Sequence, residues 1–214
     1  MATLHGSNLL DTPYDVPEPL MSWIDIASLR AGSFFRQSSP GKYRVNDWDD
    51  WERTPDVTEH SWNGDGGWVR LDRGQDPVSV RGRLIGGCIE TLVNLAGTRY
   101  LDAAPLREGS DGALIVYVEA SGVDATTICR HLHGMRLAGF FDGAQAVLVG
   151  RTGAPDSPTL TQHGAVLDAL GSLGVPIIGN VECGHVPPQL PIVNGALGHL
   201  VFNEDVQYLE QTLR

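Results

Sequence analysis

Two apolar stretches of the chain each end in a side chain that can handle a proton. Residues 113–118, Ala-Leu-Ile-Val-Tyr-Val, are followed by Glu119, and residues 175–181 run into Glu182-Cys183-Gly184-His185-Val186-Pro187-Pro188. A carboxylate that orients an imidazole fixes its tautomer and stabilises the imidazolium, while the imidazole takes a nucleophile's proton. These are two of the three parts of a hydrolytic triad. The third part is not visible: no serine lies in a Gly-x-Ser-x-Gly elbow, and Ser7 and Ser121 read as turn residues. A metal centre is the competing chemistry, with Cys183 and His185 flanking one glycine and Cys88, His131 and His133 as further donors. No second paired motif completes it, so no metal or other cofactor is expected.

For Glu119 and His185 to meet, both stretches must be strands of one parallel sheet, because functional groups gather beyond the carboxyl ends of such strands. The pattern from residue 78 onward supports this. Residues 78–84 alternate as a strand, Gly86-Gly87 precede a helical stretch over 88–95, and the unalternating run 113–118 reads as a strand covered on both faces. Asp124 caps a helix whose Ile128, Leu132 and Met135 share one face and which Gly139 stops. Strand 144–149, helix 161–173 (Val166, Leu167, Leu170 and Leu173 inward) and strand 175–181 complete a β-α-β-α-β succession. Segments 197–202 and 206–209 can add antiparallel strands. The expected fold is α/β with a largely parallel sheet.

All five tryptophans, Trp23, Trp48, Trp51, Trp62 and Trp68, precede residue 70. The composition therefore divides the chain at Asp76-Pro77 into a Trp-rich, irregular connector over 1–77 and a domain over 78–214. In the connector, residues 20–29 carry a helix-compatible apolar face, and the acidic run 47–52 lacks the spacing of a calcium loop and reads as a solvated turn. With 15 basic against 26 acidic residues, a net charge of −11 argues against nucleic acid as a partner. The longest clean apolar run is six residues, far short of a membrane helix, and three cysteines are too few for a disulfide framework, so a reducing cytoplasm is the expected setting.

The stretches Leu84-Ile85-Gly86-Gly87-Cys88-Ile89-Glu90-Thr91-Leu92, Ile115-Val116-Tyr117-Val118-Glu119 and Asn180-Val181-Glu182-Cys183-Gly184-His185 resemble three successive motifs of the LD-carboxypeptidase family of serine peptidases, in its microcin-immunity branch. Gly139-Phe140-Phe141-Asp142 and Val175-Pro176-Ile177 extend the likeness, which covers about residues 80–200.

The resemblance implies a small β/β/α three-layer domain, a homodimer, and a Ser-Glu-His triad whose glutamate and histidine fall on Glu119 and His185. It also implies that the serine sits in a preceding nucleophile domain, after which this chain is expected to begin, so that the chain alone is inactive. The substrate would be a peptide or peptidyl-nucleotide, with Gly86, Gly87, Glu90 and Val123 at the positions that contact it. The branch carries an asparagine where this sequence has Glu90 and a lysine where it has Val123. A carboxylate and an aliphatic side chain cannot hold an anionic nucleotide as an amide and an ammonium do, so inheritance of that specificity is not expected. Gly86-Gly87 offer backbone N–H groups to a carboxylate, or serve close strand-helix packing. A non-catalytic binding or dimerisation module is the reading that differs in class.

Overall fold

The computed structural model describes residues 2–45, 52–107 and 112–214; most of the acidic turn at 47–52, including Trp48 and Trp51, lies outside them. In chain order the elements are β1 (Thr3–His5), α1 (Trp23–Ala27), β2 (Phe34–Gln37), β3 (Lys42–Tyr43), β4 (Gly64–Asp65), β5 (Val69–Arg70), β6 (Val78–Cys88), α2 (Ile89–Leu92), α3 (Ala104–Arg107), β7 (Leu114–Glu119), α4 (Ala125–Leu137), β8 (Ala144–Gly150), α5 (Gln162–Leu170), β9 (Ile177–Val181), β10 (Ile192–Asn194), β11 (Leu197–Phe202) and β12 (Gln207–Thr212).

Eight strands form one sheet in the order β2-β12-β11-β6-β7-β8-β9-β5. Its centre, β6 to β9, is parallel, and antiparallel strands extend it on both sides. The parallel centre follows from the sequence physics: each helix crossover returns the chain to the same edge, so consecutive strands lie side by side in one direction. β7 is buried at every position. Leu114, Val116 and Val118 enter a core shared with α2, α4 and α5, while Ile115 and Tyr117 enter a second core on the opposite face. That second core is closed by Leu20, by Ile26 of α1, by Trp68 and by the β1–β10 ribbon. The result is a three-layer arrangement with helices on one side and a small ribbon on the other.

The helices start where capping chemistry permits. Asp124 accepts from the backbone N–H groups of Thr126 and Thr127, and Thr161 accepts from Gly164 N–H. Gly139, at φ +80°, takes the left-handed conformation that ends α4.

Four local expectations change. The strand read over 78–84 continues through Cys88, and the helix expected over 88–95 is the four-residue α2. The reason lies in Gly86, where a Cβ would sit 1.8 Å from the Tyr117 carbonyl oxygen, so β6 runs flat against β7 through the glycines instead of turning there. The helix expected over 20–29 shortens to α1, and Leu167, expected inward on α5, is 36% exposed. Residues before 77 also reach the main sheet, supplying both of its edge strands, β2 and β5.

Candidate active site

Glu119 ends β7, and His185 lies in the turn that leaves β9. Because β7, β8 and β9 run parallel, both exits fall on one edge. The His185 Nδ1 stands 2.7 Å from Glu119 Oε2. The carboxylate side chain is fully buried and the imidazole is about half exposed (51%). The other carboxylate oxygen, Oε1, is buried without a hydrogen-bond partner among the described residues.

Two glycines make this approach sterically possible. Gly150, at the end of β8, lies between the two exits: a Cβ there would be 2.6 Å from the Glu119 Cβ and 3.2 Å from Gly184 Cα. A Cβ on Gly184 would meet the Arg151 carbonyl oxygen at 2.5 Å. Both glycines let the chain pass closely beneath the pair.

The hydrogen bond to Glu119 raises the basicity of His185 above that of a free imidazole; partial burial opposes this, and the charges of Glu119 and Glu90 add to it. An imidazole bonded through Nδ1 to a buried carboxylate keeps Nε2 as its remaining proton-handling atom. The arrangement can accept a proton, hold the resulting imidazolium beside a fixed negative charge, and return the proton to a leaving group.

Around the pair, the other candidate residues take distinct places. Glu90 Oε1 accepts from the backbone N–H groups of Ser121, Gly122 and Val123 at 2.8, 3.0 and 3.4 Å, in the loop that follows Glu119. Partial burial pushes the Glu90 carboxyl up, but these bonds outweigh it and hold it below its ordinary range. Its Oε2 accepts from Cys88 Sγ at 3.3 Å, and burial together with the Glu119 charge pushes the Cys88 thiol up to about 11, so Cys88 is no ready thiolate nucleophile. Val123 packs its side chain against the helix-side core, and its carbonyl accepts from Gln162 Nε2 at 3.0 Å. The Gly86 N–H donates to Asn194 Oδ1 at 3.0 Å, while Gly87 sits at φ +149°.

Ser121 is exposed beside Glu90, and Ser7 lies near Pro187 and Pro188; among the described residues neither hydrogen-bonds to His185. The metal alternative is not assembled either. Cys183 is fully buried, with its carbonyl accepting from His5 Nε2 at 2.9 Å, and His133 bonds to Asp168 instead.

One further group escaped the sequence reading. Glu182, next to the site motif, is fully buried and accepts from Ser39 Oγ at 2.5 Å and Trp68 Nε1 at 2.6 Å, with Arg151 Nη2 at 3.7 Å. Arg151 stacks over the Tyr43 ring at 3.8 Å and donates to the carbonyls of Gly66 and Asn180. The aromatic N-terminal segment thus clamps the strand that delivers His185. The Trp-rich composition was the only sequence signal of it.

Fold and site together define an α/β domain that presents a carboxylate-imidazole pair at the ends of neighbouring parallel strands. The chain belongs to the family of LD-carboxypeptidase C-terminal domains, whose model matches residues 81–200. It is 31% identical over 124 residues, 58% of the chain, to SCO6489 of Streptomyces coelicolor, a protein whose name carries a carboxypeptidase assignment. It is 26% identical over 141 residues, 63% of the chain, to the microcin C7 self-immunity protein MccF of Escherichia coli. The match spans 38% of the length of each of these relatives. A solved structure of MccF with aspartyl sulfamoyl adenosine superposes on the whole chain with a TM-score of 0.74 at 19% identity, covering 62% of that structure, which places the fold among its neighbours. No helix among the described residues is long and apolar enough to cross a membrane.

Proposed function

We propose that this chain supplies the glutamate and histidine of a Ser-Glu-His triad for amide hydrolysis, with Glu119 orienting His185 and His185 acting first as general base and then as general acid. The observation that carries this reading is the 2.7 Å contact between a buried carboxylate and a half-exposed imidazole at one sheet edge. In the same reading the serine comes from a nucleophile domain preceding these residues, the assembly is a cytoplasmic homodimer, and residues 1–77 connect that domain to the one over 78–214 while lending its sheet the edge strands β2 and β5.

The substrate is a peptide with a free carboxyl terminus or a peptidyl conjugate. MccF is known in complexes with aspartyl sulfamoyl adenosine and glutamyl sulfamoyl guanosine, and a muramoyltetrapeptide carboxypeptidase from Oxalobacter formigenes shares the fold. Glu90 and Val123 favour a substrate other than an anionic nucleotide conjugate. Glu90 holds the loop after Glu119 with one oxygen, and neither residue provides a cation for a phosphate.

The test pairs the chain with a serine nucleophile domain of the family and follows labelling by a fluorophosphonate probe and release of the terminal residue from a murein tetrapeptide. The chain alone is expected to give neither, and the pair is expected to give both. Glu119→Ala and His185→Ala should abolish turnover. Undiminished hydrolysis in His185→Ala, or stoichiometric labelling of a serine in the chain alone, overturns the assignment.

A further inference from the structure

On the helical face of the domain, Cys129 and His133 stand four residues apart on α4 and so share one helix face, and Asp168 reaches them from α5. The Cys129 Sγ lies 3.4 Å from Asp168 Oδ1, and His133 Nε2 lies 2.8 Å from the same oxygen. One donor atom from each residue falls within 4.8 Å of the other two. None of the three takes part in the Glu119–His185 arrangement.

Tetrahedral zinc with bonds of about 2.3 Å to sulfur and about 2.0–2.2 Å to nitrogen and oxygen needs donors about 3.4–3.6 Å apart. The sulfur-oxygen separation already matches that spacing, the nitrogen-oxygen pair must open by about half an ångström, and the sulfur and the imidazole nitrogen lie within 4.8 Å of each other. The two helices are fixed against each other independently of these side chains: they share the buried core of Ile128, Leu132, Val166 and Leu170, and Arg136 Nη1 donates to the Ala169 carbonyl at 2.8 Å. The backbones are therefore placed before any ion arrives, and only side-chain rotation is required. His133 and Asp168 are partly exposed, so an ion has access and a fourth corner open to water.

We infer that Cys129, His133 and Asp168 form a surface site for a zinc-class divalent cation, bound through one thiolate, one imidazole and one carboxylate. Binding releases the Cys129 thiol proton, moves the His133 ring proton from Nε2 to Nδ1 so that Nε2 can ligate, and replaces the His133–Asp168 hydrogen bond with two metal bonds, so affinity falls as pH drops. The mixed soft and borderline donor set selects zinc or cobalt over magnesium or calcium.

The test is titration of the chelator-treated chain with Co(II), read by its thiolate-to-metal charge-transfer band, and with zinc in competition with a chromophoric indicator. One equivalent is expected to bind, with the band lost in Cys129→Ser and kept in Cys88→Ser. His133→Ala and Asp168→Asn should each weaken binding about tenfold or more. Zinc should raise the melting temperature of the parent chain and leave that of Cys129→Ser unmoved, which separates metal binding from a merely structural contact between the helices. Absence of binding, a band that survives in Cys129→Ser, or parental affinity in His133→Ala overturns the inference.

Discussion

Replacing Gly150 by alanine tests whether close backbone packing is what holds the carboxylate against the imidazole. The added carbon would lie 2.6 Å from the Glu119 Cβ, whereas two carbons rest at about 3.5–4.0 Å, so about 1 Å of overlap must be relieved. The Glu119 side chain is fully buried and the second neighbour is the Gly184 backbone, so neither yields without displacing the pair. Overpacking of this kind costs about 1–3 kcal/mol, or roughly 2–12 °C in melting temperature for a domain of this size. Pushing Glu119 aside also lengthens the 2.7 Å bond to His185 and weakens the interaction that raises the basicity of the imidazole. Urea unfolding followed by tryptophan fluorescence reads the first effect, and NMR titration of the His185 ring reads the second, as a fall toward ordinary imidazole behaviour. Gly122→Ala is the matched control: it is exposed, a Cβ there meets no atom within 4 Å, and its effect should stay within about 0.5 kcal/mol. Parental stability in Gly150→Ala, with His185 titrating as in the parent, would refute the steric argument.

Two further outcomes follow from the charges. Glu119→Gln removes the anion while keeping an acceptor, so the His185 titration should move down; because its folded-state value is raised, His185 contributes stability that is present below its unfolded-state value and lost as pH rises through the folded one. That alkaline-side loss should flatten in Glu119→Gln, as measured by unfolding free energy against pH. Trp68→Phe leaves Glu182 Oε2 without its donor in a fully buried setting and should cost about 2–3 kcal/mol, or about 4–12 °C, by thermal unfolding; a cost below about 0.5 kcal/mol would show that the indole N–H contributes nothing there.

What the sequence made legible follows from periodicity. β7 lacks alternation because both of its faces are buried, and α4 carries Ile128, Leu132 and Met135 at helical spacing because a single face meets the sheet. Parallel order then brings residues 119 and 185 to one edge without any coordinates. The edge strands were not legible: β5 has two residues and β2 four, too short for a pattern, and both are held by pairing to strands far along the chain. The same holds for Gly150 and Gly184, whose type shows permissiveness but not the side chain they make room for. Glu90 carries a tie that spacing along the chain hides. Motif position assigns it to substrate, while its spatial neighbours are three backbone N–H groups of a loop about thirty residues away, which no local pattern reveals.

These neighbours bear on how an imidazole here can serve as a base. Glu119 and Glu90 both act to raise the basicity of His185, which strengthens proton acceptance but reduces the neutral fraction that can accept a proton at pH 7. Burial of the ring acts against them and limits that loss. Glu90 can remain ionised in a partly buried position because the N–H groups of Ser121, Gly122 and Val123 meet its charge, so its field persists as a fixed feature of the loop. The loop and the carboxylate therefore depend on each other: without Glu90 three N–H groups lose an acceptor, and without that cradle the carboxylate would be driven toward its neutral form by burial. A residue that motif position assigns to substrate contact thus has a second task in the fold. It ties the segment leaving β7 to α2 while adding to the negative potential that favours an imidazolium at His185.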